Sequence, residues 1–321
     1  MNLTLRQRYR GCLLGLAAGD ALGTTLEFST PGDFEPLTDR VGGGPFNLEA
    51  GEWTDDTSMA LCLAESLVEE QIFDPKDQMH RYLNWYRCGY LSPTGECFDI
   101  GSTVSASLRR FELNQDPFAG LTDSCYGGNG SLMRLAPVPL AFAGSPKEAI
   151  RLSGEMSRTT HAAPEPIDAC RYYSGLIIAA LAGVPKQEFL ESRYRLPGDA
   201  WPLSVLSPNI DEIAAGSFKI RQPPDICGIG YVVKALEAAL WAFWHTEDFE
   251  SGALAAVNLG NDADTTGAIY GQLAGAYYGQ DAIPERWRSR LAMRERIIAL
   301  ADGLFGLSQS SRSELWPVKL E

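Results

Sequence analysis

Two stretches of this chain, 172–184 and 235–243, are apolar around the whole circumference of a helix rather than along one stripe. A helix of that kind has no face to give to water, so it must lie inside a layer of other helices. Elsewhere apolar residues recur at spacings of three and four, Ala and Leu are frequent, and period-two alternation of Val, Ile and Thr is scarce. The periodicity predicts helices over 5–18, 56–69, 103–111, 146–157, 167–182, 231–244, 249–259, 264–278 and 285–304. The expected fold class is therefore all-α, a compact multi-helix orthogonal bundle in which a central layer is wrapped by others.

No repeat, charge block or linker divides the sequence, so 1–321 reads as a single domain. Twenty-seven basic residues against 41 acidic ones leave a formal charge of −14, which repels nucleic-acid phosphates and anionic lipids and argues against both as partners. The basic amino terminus precedes an apolar run at 12–18, but that run is short, Gly-punctuated and followed by Asp20, so it reads as a buried helix rather than a signal sequence. No apolar stretch approaches the ~20 residues of a membrane span. The seven cysteines are scattered without a C-x-x-C pair, which indicates neither a disulfide framework nor a zinc knuckle and fits a cytoplasmic location. Three irregular stretches, 28–52, 91–100 and 114–130, carry glycines, acids and aromatics and are expected to be ordered functional loops. A Pro-rich segment, 196–224, reads as an insertion or peripheral lobe.

Two short segments place carboxylates and threonines at the mouths of apolar helices: Glu52-Trp53-Thr54-Asp55-Asp56-Thr57 and Asn261-Asp262-Ala263-Asp264-Thr265-Thr266-Gly267. One such cluster is accounted for by helix capping, with Thr54 or Asp55 as the cap and acids favoured in a first turn. Two of matching make-up, about two hundred residues apart, point instead to a shared ligand. Oxygen-only donors with no His or Cys among them select hard cations over zinc, and four carboxylates suffice for two ions. A pair of metals orients vicinal hydroxyls and polarises water, which makes a metal-dependent hydrolase the natural reading.

The loop Tyr126-Gly127-Gly128-Asn129-Gly130-Ser131 leads into a helix-like segment at 132–135. Close-approaching backbone N–H groups and a helix amino terminus there would suit a phosphate or diphosphate, although a plain Gly-rich turn accounts for it equally well. His161 is one of three histidines and, alone, reads as a structural residue as readily as a functional one. Asp20 and Glu27 follow the first apolar helix amid closely spaced glycines that suggest tight backbone packing, and Asp99 precedes a helix in a capping position.

In combination, G-C-L-L-G-L-A-A-G-D-A-L-G, W-T-D-D-T, G-N-G-S-L-M-R, T-T-H and N-D-A-D-T-T-G, in this order over about 8–278, resemble the ADP-ribosylglycohydrolase family. The resemblance implies an all-helical fold with a binuclear metal site, two divalent cations, Mg²⁺ or Mn²⁺, in a central cleft. It implies Thr54, Asp55, Asp56, Asp262, Asp264 and Thr265 as metal ligands, with Asp55 and Asp56 doubling as catalytic bases and Glu27 as an acid near the metals. Gly127, Gly128, Asn129, Gly130 and Ser131 fall where the family binds a diphosphate, His161 on the ribose side, and Gly230 and Tyr231 at the adenosine end. The implied activity is metal-dependent hydrolysis of ADP-ribosyl-arginine on a modified protein, with ADP-ribose as product, by a monomer. Asp99 is the candidate acid for pairing a guanidinium. Alternatives are a serine-linked or small-molecule conjugate as substrate, attack on the diphosphate itself, or a non-catalytic ADP-ribose-binding module. Ala263 and Asn261 stand where the family more often has Thr and Gly, and neither is expected to ligate.

Overall fold

The computed structural model describes residues 3–196 and 206–310, so that 197–205 of the Pro-rich segment lie outside the described residues. In chain order the helices are α1 (Leu5–Gly23), α2 (Asp55–Glu70), α3 (Pro75–Cys88), α4 (Ser102–Asn114), α5 (Pro137–Ala141), α6 (Pro146–Arg158), α7 (Pro164–Leu181) and α8 (Lys186–Phe189). They continue with α9 (Pro208–Ala214), α10 (Ser217–Ile220), α11 (Val232–His245), α12 (Phe249–Val257), α13 (Ala263–Tyr278), α14 (Glu285–Arg288) and α15 (Arg294–Ser310). Among the described residues there are isolated β-bridges but no strands, as the periodicity predicts. No helix among them is long and apolar enough to cross a membrane.

The centre of the molecule is the pair α1 and α13. Thr4 starts α1 with a capping box: its hydroxyl accepts from the Gln7 N–H at 3.3 Å, while the Thr4 N–H donates to Gln7 Oε1 at 2.8 Å. From Gly11 to Gly23 every residue of α1 is buried, as is every residue of α13 from Ala263 to Ala276. Glycines repeat at every fourth position on both, Gly11, Gly15, Gly19 and Gly23 against Gly267, Gly271 and Gly275. A methyl group at Gly11, Gly15 or Gly19 would be driven into the carbonyl oxygen of Gly275, Gly271 or Gly267, respectively. The two backbones therefore touch directly, running antiparallel, so that the end of α1 lies beside the start of α13. Helices α7, α11 and α12 pack on α13, and α15 and α2 close the other side. The two all-apolar stretches fall in α7 and α11 and are buried there, apart from a half-buried Trp241, but α7 ends at Leu181 and the last residues of the first stretch, 182–184, are half-buried or exposed.

Several elements differ from the expectations, among them α3, a 14-residue helix where none is predicted. The helix expected over 285–304 is broken into α14 and α15, because the chain between them bonds outward: Ala292 N–H donates to Gly51 O at 2.9 Å and Trp53 Nε1–H to Ala292 O at 3.2 Å. Met293 takes a left-handed φ of 48° at that break. The helix-like segment at 132–135 is a run of turns. There the buried Gln272 of α13 accepts from Ala136 N–H and donates to the Leu132 and Met133 carbonyls, meeting groups that a helix would have paired internally. The Pro-rich segment contains α9 and α10, with Pro208 at the first turn of α9, where its missing N–H costs nothing.

The glycine interface generates a pair of opposite effects. Gly271→Ala should cost about 1–3 kcal/mol by forcing the backbones apart, whereas Gly306→Ala on α15, where a Cβ meets nothing within 4 Å among the described residues, should gain about 0.4–1 kcal/mol. Urea denaturation measures both; a neutral Gly271→Ala would show that the helices are not in backbone contact.

Candidate active site

The amino ends of α2 and α13 and the end of α1 meet at one point, and each brings acids to it. Asp20, fully buried near the end of α1, accepts from the Thr54 N–H (2.9 Å) and hydroxyl (3.1 Å) with one oxygen and from the Thr57 N–H (3.0 Å) and hydroxyl (2.6 Å) with the other. Its four bonds fix the start of α2 against α1. Capping does not account for the acidic clusters, because neither Thr54 nor Asp262, the residues before α2 and α13, makes a side-chain capping bond. The Thr54 hydroxyl lies instead among three acidic oxygens, 3.1 Å from Asp20 Oδ1, 3.0 Å from Asp56 Oδ2 and 3.2 Å from Asp264 Oδ2, with a single hydrogen to offer them. Thr265 Oγ1 adds a bond to Asp56 Oδ2 at 3.3 Å.

Three buried oxygens here have no hydrogen-bond partner: Asp56 Oδ1, Asp264 Oδ1 and Glu27 Oε2. A buried carboxylate oxygen without a partner is costly unless something positive meets it. Two sets of acids bring one oxygen each within 4.8 Å of one another, Asp20 with Asp56 and Asp264, and Glu27 with Asp99 and Asp264. Asp264 belongs to both. Hard oxygen donors with unpaired buried lone pairs, arranged as two groups around a shared carboxylate, fit divalent cations.

Burial and mutual repulsion act on the acidities in the same direction. Burial, then the neighbouring carboxylates, raises Asp55, Asp56 and Asp264 well above the ordinary range. Burial, then the charge of Asp99, lifts Glu27 to about 10, while Asp99 itself is lifted by burial to about 7. Asp20 is raised by burial to about 6 against the opposing pull of its bonds from Thr57 and Thr54. Asp262 is raised by burial, with its bond from Asn129 opposing.

Above this acidic floor opens a cleft of about 570 Å³. Glu27, Asp55, Asp99, Asp262 and Thr265 face it from below, and Gly128, Asn129, Gly130, His161 and Gly230 form a wall, while Thr54, Asp56 and Asp264 lie beneath the surface. The three irregular loops thus converge here, through Glu27 and Phe28, Asp99, and the glycine loop. The loop is paired to the segment before α11: Asn129 N–H donates to Gly230 O at 3.1 Å and Val232 N–H to Gly127 O at 2.9 Å. Asn129 Nδ2 donates to Asp262 Oδ2 at 2.6 Å, tying the wall to the floor.

Some expected residues turn elsewhere. The Ser131 hydroxyl is buried against Ser157 (2.8 Å), the Tyr231 hydroxyl donates to Glu165 (2.7 Å), and Gly127 packs on the Tyr231 ring. With 132–135 not helical, the helix amino terminus that faces the cleft beside those of α2 and α13 is that of α4, through Gly101, Ser102 and Thr103. Sequence reasoning missed it, and it missed the holding role of Asp20, for which the four-residue glycine spacing around it was the available signal. Phe28, 68% exposed at the rim, carried no signal. Phe28, Asp99 and Asn261 all adopt left-handed φ values, 60°, 57° and 56°. Asn is among the side chains that tolerate this region best, which accommodates the replacement of glycine at 261.

The family model for ADP-ribosylglycohydrolase matches residues 1–314. The chain is 42% identical over 296 residues to the ADP-ribosylarginine hydrolase Tri1 of Serratia proteamaculans, covering 92% of this chain and 78% of that protein. It is 31% identical over 299 residues to the ADP-ribosyl-[dinitrogen reductase] glycohydrolase of Rhodospirillum rubrum, covering 91% and 92%. A solved structure titled "ADP-ribosylglycohydrolase-related protein complex" superposes with a TM-score of 0.83 at 45% identity, over 95% of this chain and all of that one.

The raised acidities set the pH dependence of a chain kept free of divalent cations. Unfolded carboxylates titrate near 4, so between that value and about 7 for Asp99 or about 10 for Glu27 the folded state holds more protons, and stability falls as pH rises. His161, lowered to about 3 by burial and then Arg134, works in the opposite sense only below its ordinary value of 6.5. Between pH 6.5 and 8.5 the melting temperature in EDTA should therefore fall, and excess Mg²⁺ should flatten the fall. A melting temperature that rose across this window in EDTA would contradict the clustering of buried acids.

Proposed function

The chain belongs to the ADP-ribosylglycohydrolase family, and we propose that it hydrolyses the N-glycosidic bond joining ADP-ribose to an arginine of a modified protein, with ADP-ribose as product. The observation that carries this reading is the pair of carboxylate groups sharing Asp264 on the floor of a cleft whose wall is glycine loop and helix amino terminus. Relatives 42% identical are named ADP-ribosylarginine hydrolases, which supports the arginine linkage.

The cleft has the volume of a small-ligand site and an uneven charge. An anionic diphosphate is favoured beside Gly101–Thr103, where the α4 dipole is positive, and along Gly128–Gly130, where the absence of side chains lets it approach the backbone. A guanidinium is favoured against the acids Glu27, Asp55 and Asp99, where a carboxylate can accept two of its N–H groups. Between them the anomeric carbon comes to lie over the acids. Two divalent cations, Mg²⁺ or Mn²⁺, held by Thr54, Asp55, Asp56, Asp262, Asp264 and Thr265, would offset the floor's charge, orient the vicinal ribose hydroxyls and polarise water. The bond from the anomeric carbon to the guanidine nitrogen breaks through an oxocarbenium-like state as the water oxygen bonds to that carbon. Glu27, Asp55 and Asp99, which reach the cleft, are placed to take the water proton and to return one to the departing nitrogen. The balance of charge disfavours nucleic acid and membrane surfaces as partners and suits a monomer working in the cytoplasm on ADP-ribosylated proteins.

The test is release of ADP-ribose from arginine-linked and serine-linked substrates. Arginine-linked substrate should be preferred, and EDTA or Asp264→Ala should each lower turnover by at least about 100-fold. Release of AMP, or native turnover in Asp264→Ala, would overturn the reading. Asp99→Ala should reduce arginine-linked cleavage by about 10- to 100-fold while ADP-ribose affinity changes less than about threefold; an equal loss of both would make Asp99 structural.

A further inference from the structure

Behind the cleft wall lies a guanidinium that the reaction above does not use. Arg134 is fully buried, and its bonded partners, Met59 Sδ at 3.8 Å among them, are neutral. Its Nη1 donates to Gly130 O at 2.8 Å, its Nη2 to Thr160 Oγ1 at 2.7 Å and Thr159 Oγ1 at 3.3 Å, and its plane lies over the Tyr82 ring at 4.7 Å. One arginine thus holds both the glycine loop and the Thr159-Thr160-His161 segment, two sequence motifs that face the same cleft.

The direction of these bonds determines where the proton on His161 sits. A guanidinium has five donors and no acceptor, so the Thr160 oxygen must accept from Arg134. Its bonds are to Arg134 and His161 alone among the described residues, so its own hydrogen finds an acceptor only at His161 Nδ1, 2.9 Å away. Thr159 has no part in this, because its hydroxyl donates to Met156 O at 2.7 Å. With Nδ1 accepting, the neutral ring carries its hydrogen on Nε2. That nitrogen is turned toward the cleft wall, where a Cβ on either Gly128 or Gly130 would stand only 3.2 Å from it. The ring's position is fixed as well: His161 N–H donates to Ser157 O at 2.7 Å, Ser157 Oγ donates to His161 O at 2.8 Å, and Ser107 Oγ donates to Thr160 O at 2.9 Å.

We propose that Arg134 is a positioning residue that acts through Thr160 to hold His161 as the Nε2–H tautomer, making the ring a hydrogen-bond donor to an oxygen of ADP-ribose in the cleft. The inference rests on the functional reading for the identity of its ligand and adds to it a residue and a proton. Burial, followed by the charge of Arg134, keeps the imidazole neutral by lowering its pKa to about 3. The chain then offers the anionic ligand a donor that does not switch off as pH rises.

The tautomer is read by ¹⁵N–¹H correlation across the ring couplings of the magnesium-loaded full chain labelled at histidine. Three histidines give three patterns, and His161→Gln assigns the one that matters. Native His161 should show a protonated Nε2 and an unprotonated Nδ1 from pH 6 to 8.5. In Thr160→Val the Nδ1–H form should appear and ADP-ribose affinity should fall about tenfold. His161→Gln, which keeps an N–H in the same direction, should bind ADP-ribose within about threefold of native, and His161→Leu should lose about tenfold. Arg134→Met should behave as Thr160→Val does; if removing the buried charge unfolds the chain, the native spectrum and Thr160→Val still decide. A native Nδ1–H ring, an imidazolium at pH 7, or native ADP-ribose affinity in His161→Leu would overturn the proposal. A chain with the Nε2–H ring and the expected affinities that released no ADP-ribose from arginine would overturn the functional reading alone.

Discussion

The approach of α1 to α13 is the contact on which the rest depends. Glycines at four-residue spacing remove every side chain that would hold the two backbones apart. Asp20 is thereby set beside the beginning of α13, where it holds Thr54 and Thr57 and so places the first turn of α2. Asp56 is then brought against Asp264, and Asp55 against Asp99 and Asp56, although like charges in a buried site repel. Such an arrangement persists only when the surrounding scaffold over-determines it. Here the scaffold is two helices in backbone contact, buried from Gly11 to Gly23 and from Ala263 to Ala276.

The site built on that scaffold resolves an apparent contradiction in the charge. A chain carrying −14 is a poor host for a diphosphate, and the cleft floor is more acidic still. The compensation is local. The dipole of α4 opens onto the cleft at Gly101–Thr103, and the buried guanidinium of Arg134 stands behind Gly130 and His161 with no acid against it among its bonded partners. One small cleft thus offers both acids and positive dipole, an arrangement suited to a ligand that is anionic at the diphosphate and cationic at the guanidinium. Asn129 couples the two regions directly through its bond to Asp262.

Much of this was legible in the sequence, in residues whose signal is chemical. The two acidic segments, read as ligands rather than caps because they are paired, do converge, and neither Thr54 nor Asp262 caps its helix with its side chain. Apolar periodicity located most of the helices that enclose them. What it could not see were effects that come from another part of the chain. Gln272 replaces the internal bonds of a helix at 132–135, and Gly51 and Trp53 draw Ala292 out of a continuous helix. Ser131 belongs to a glycine-rich motif, yet its hydroxyl is buried against Ser157. Asp20 read only as an acid beside tight backbone packing, because nothing local shows that its two partner residues, Thr54 and Thr57, lie thirty-four and thirty-seven residues away. Helix α4 offers its amino terminus only once the loop before it has folded.

The central claim is that the unpaired oxygens of Asp56 and Asp264 exist to hold two hard cations around a shared carboxylate. Titration of the metal-free chain with Mn²⁺, followed by electron paramagnetic resonance, tests it most directly. The account predicts two ions per chain with the exchange coupling of a close pair, and loss of that coupled signal in Asp264→Ala. A single uncoupled ion, or no binding at millimolar Mn²⁺, would contradict it.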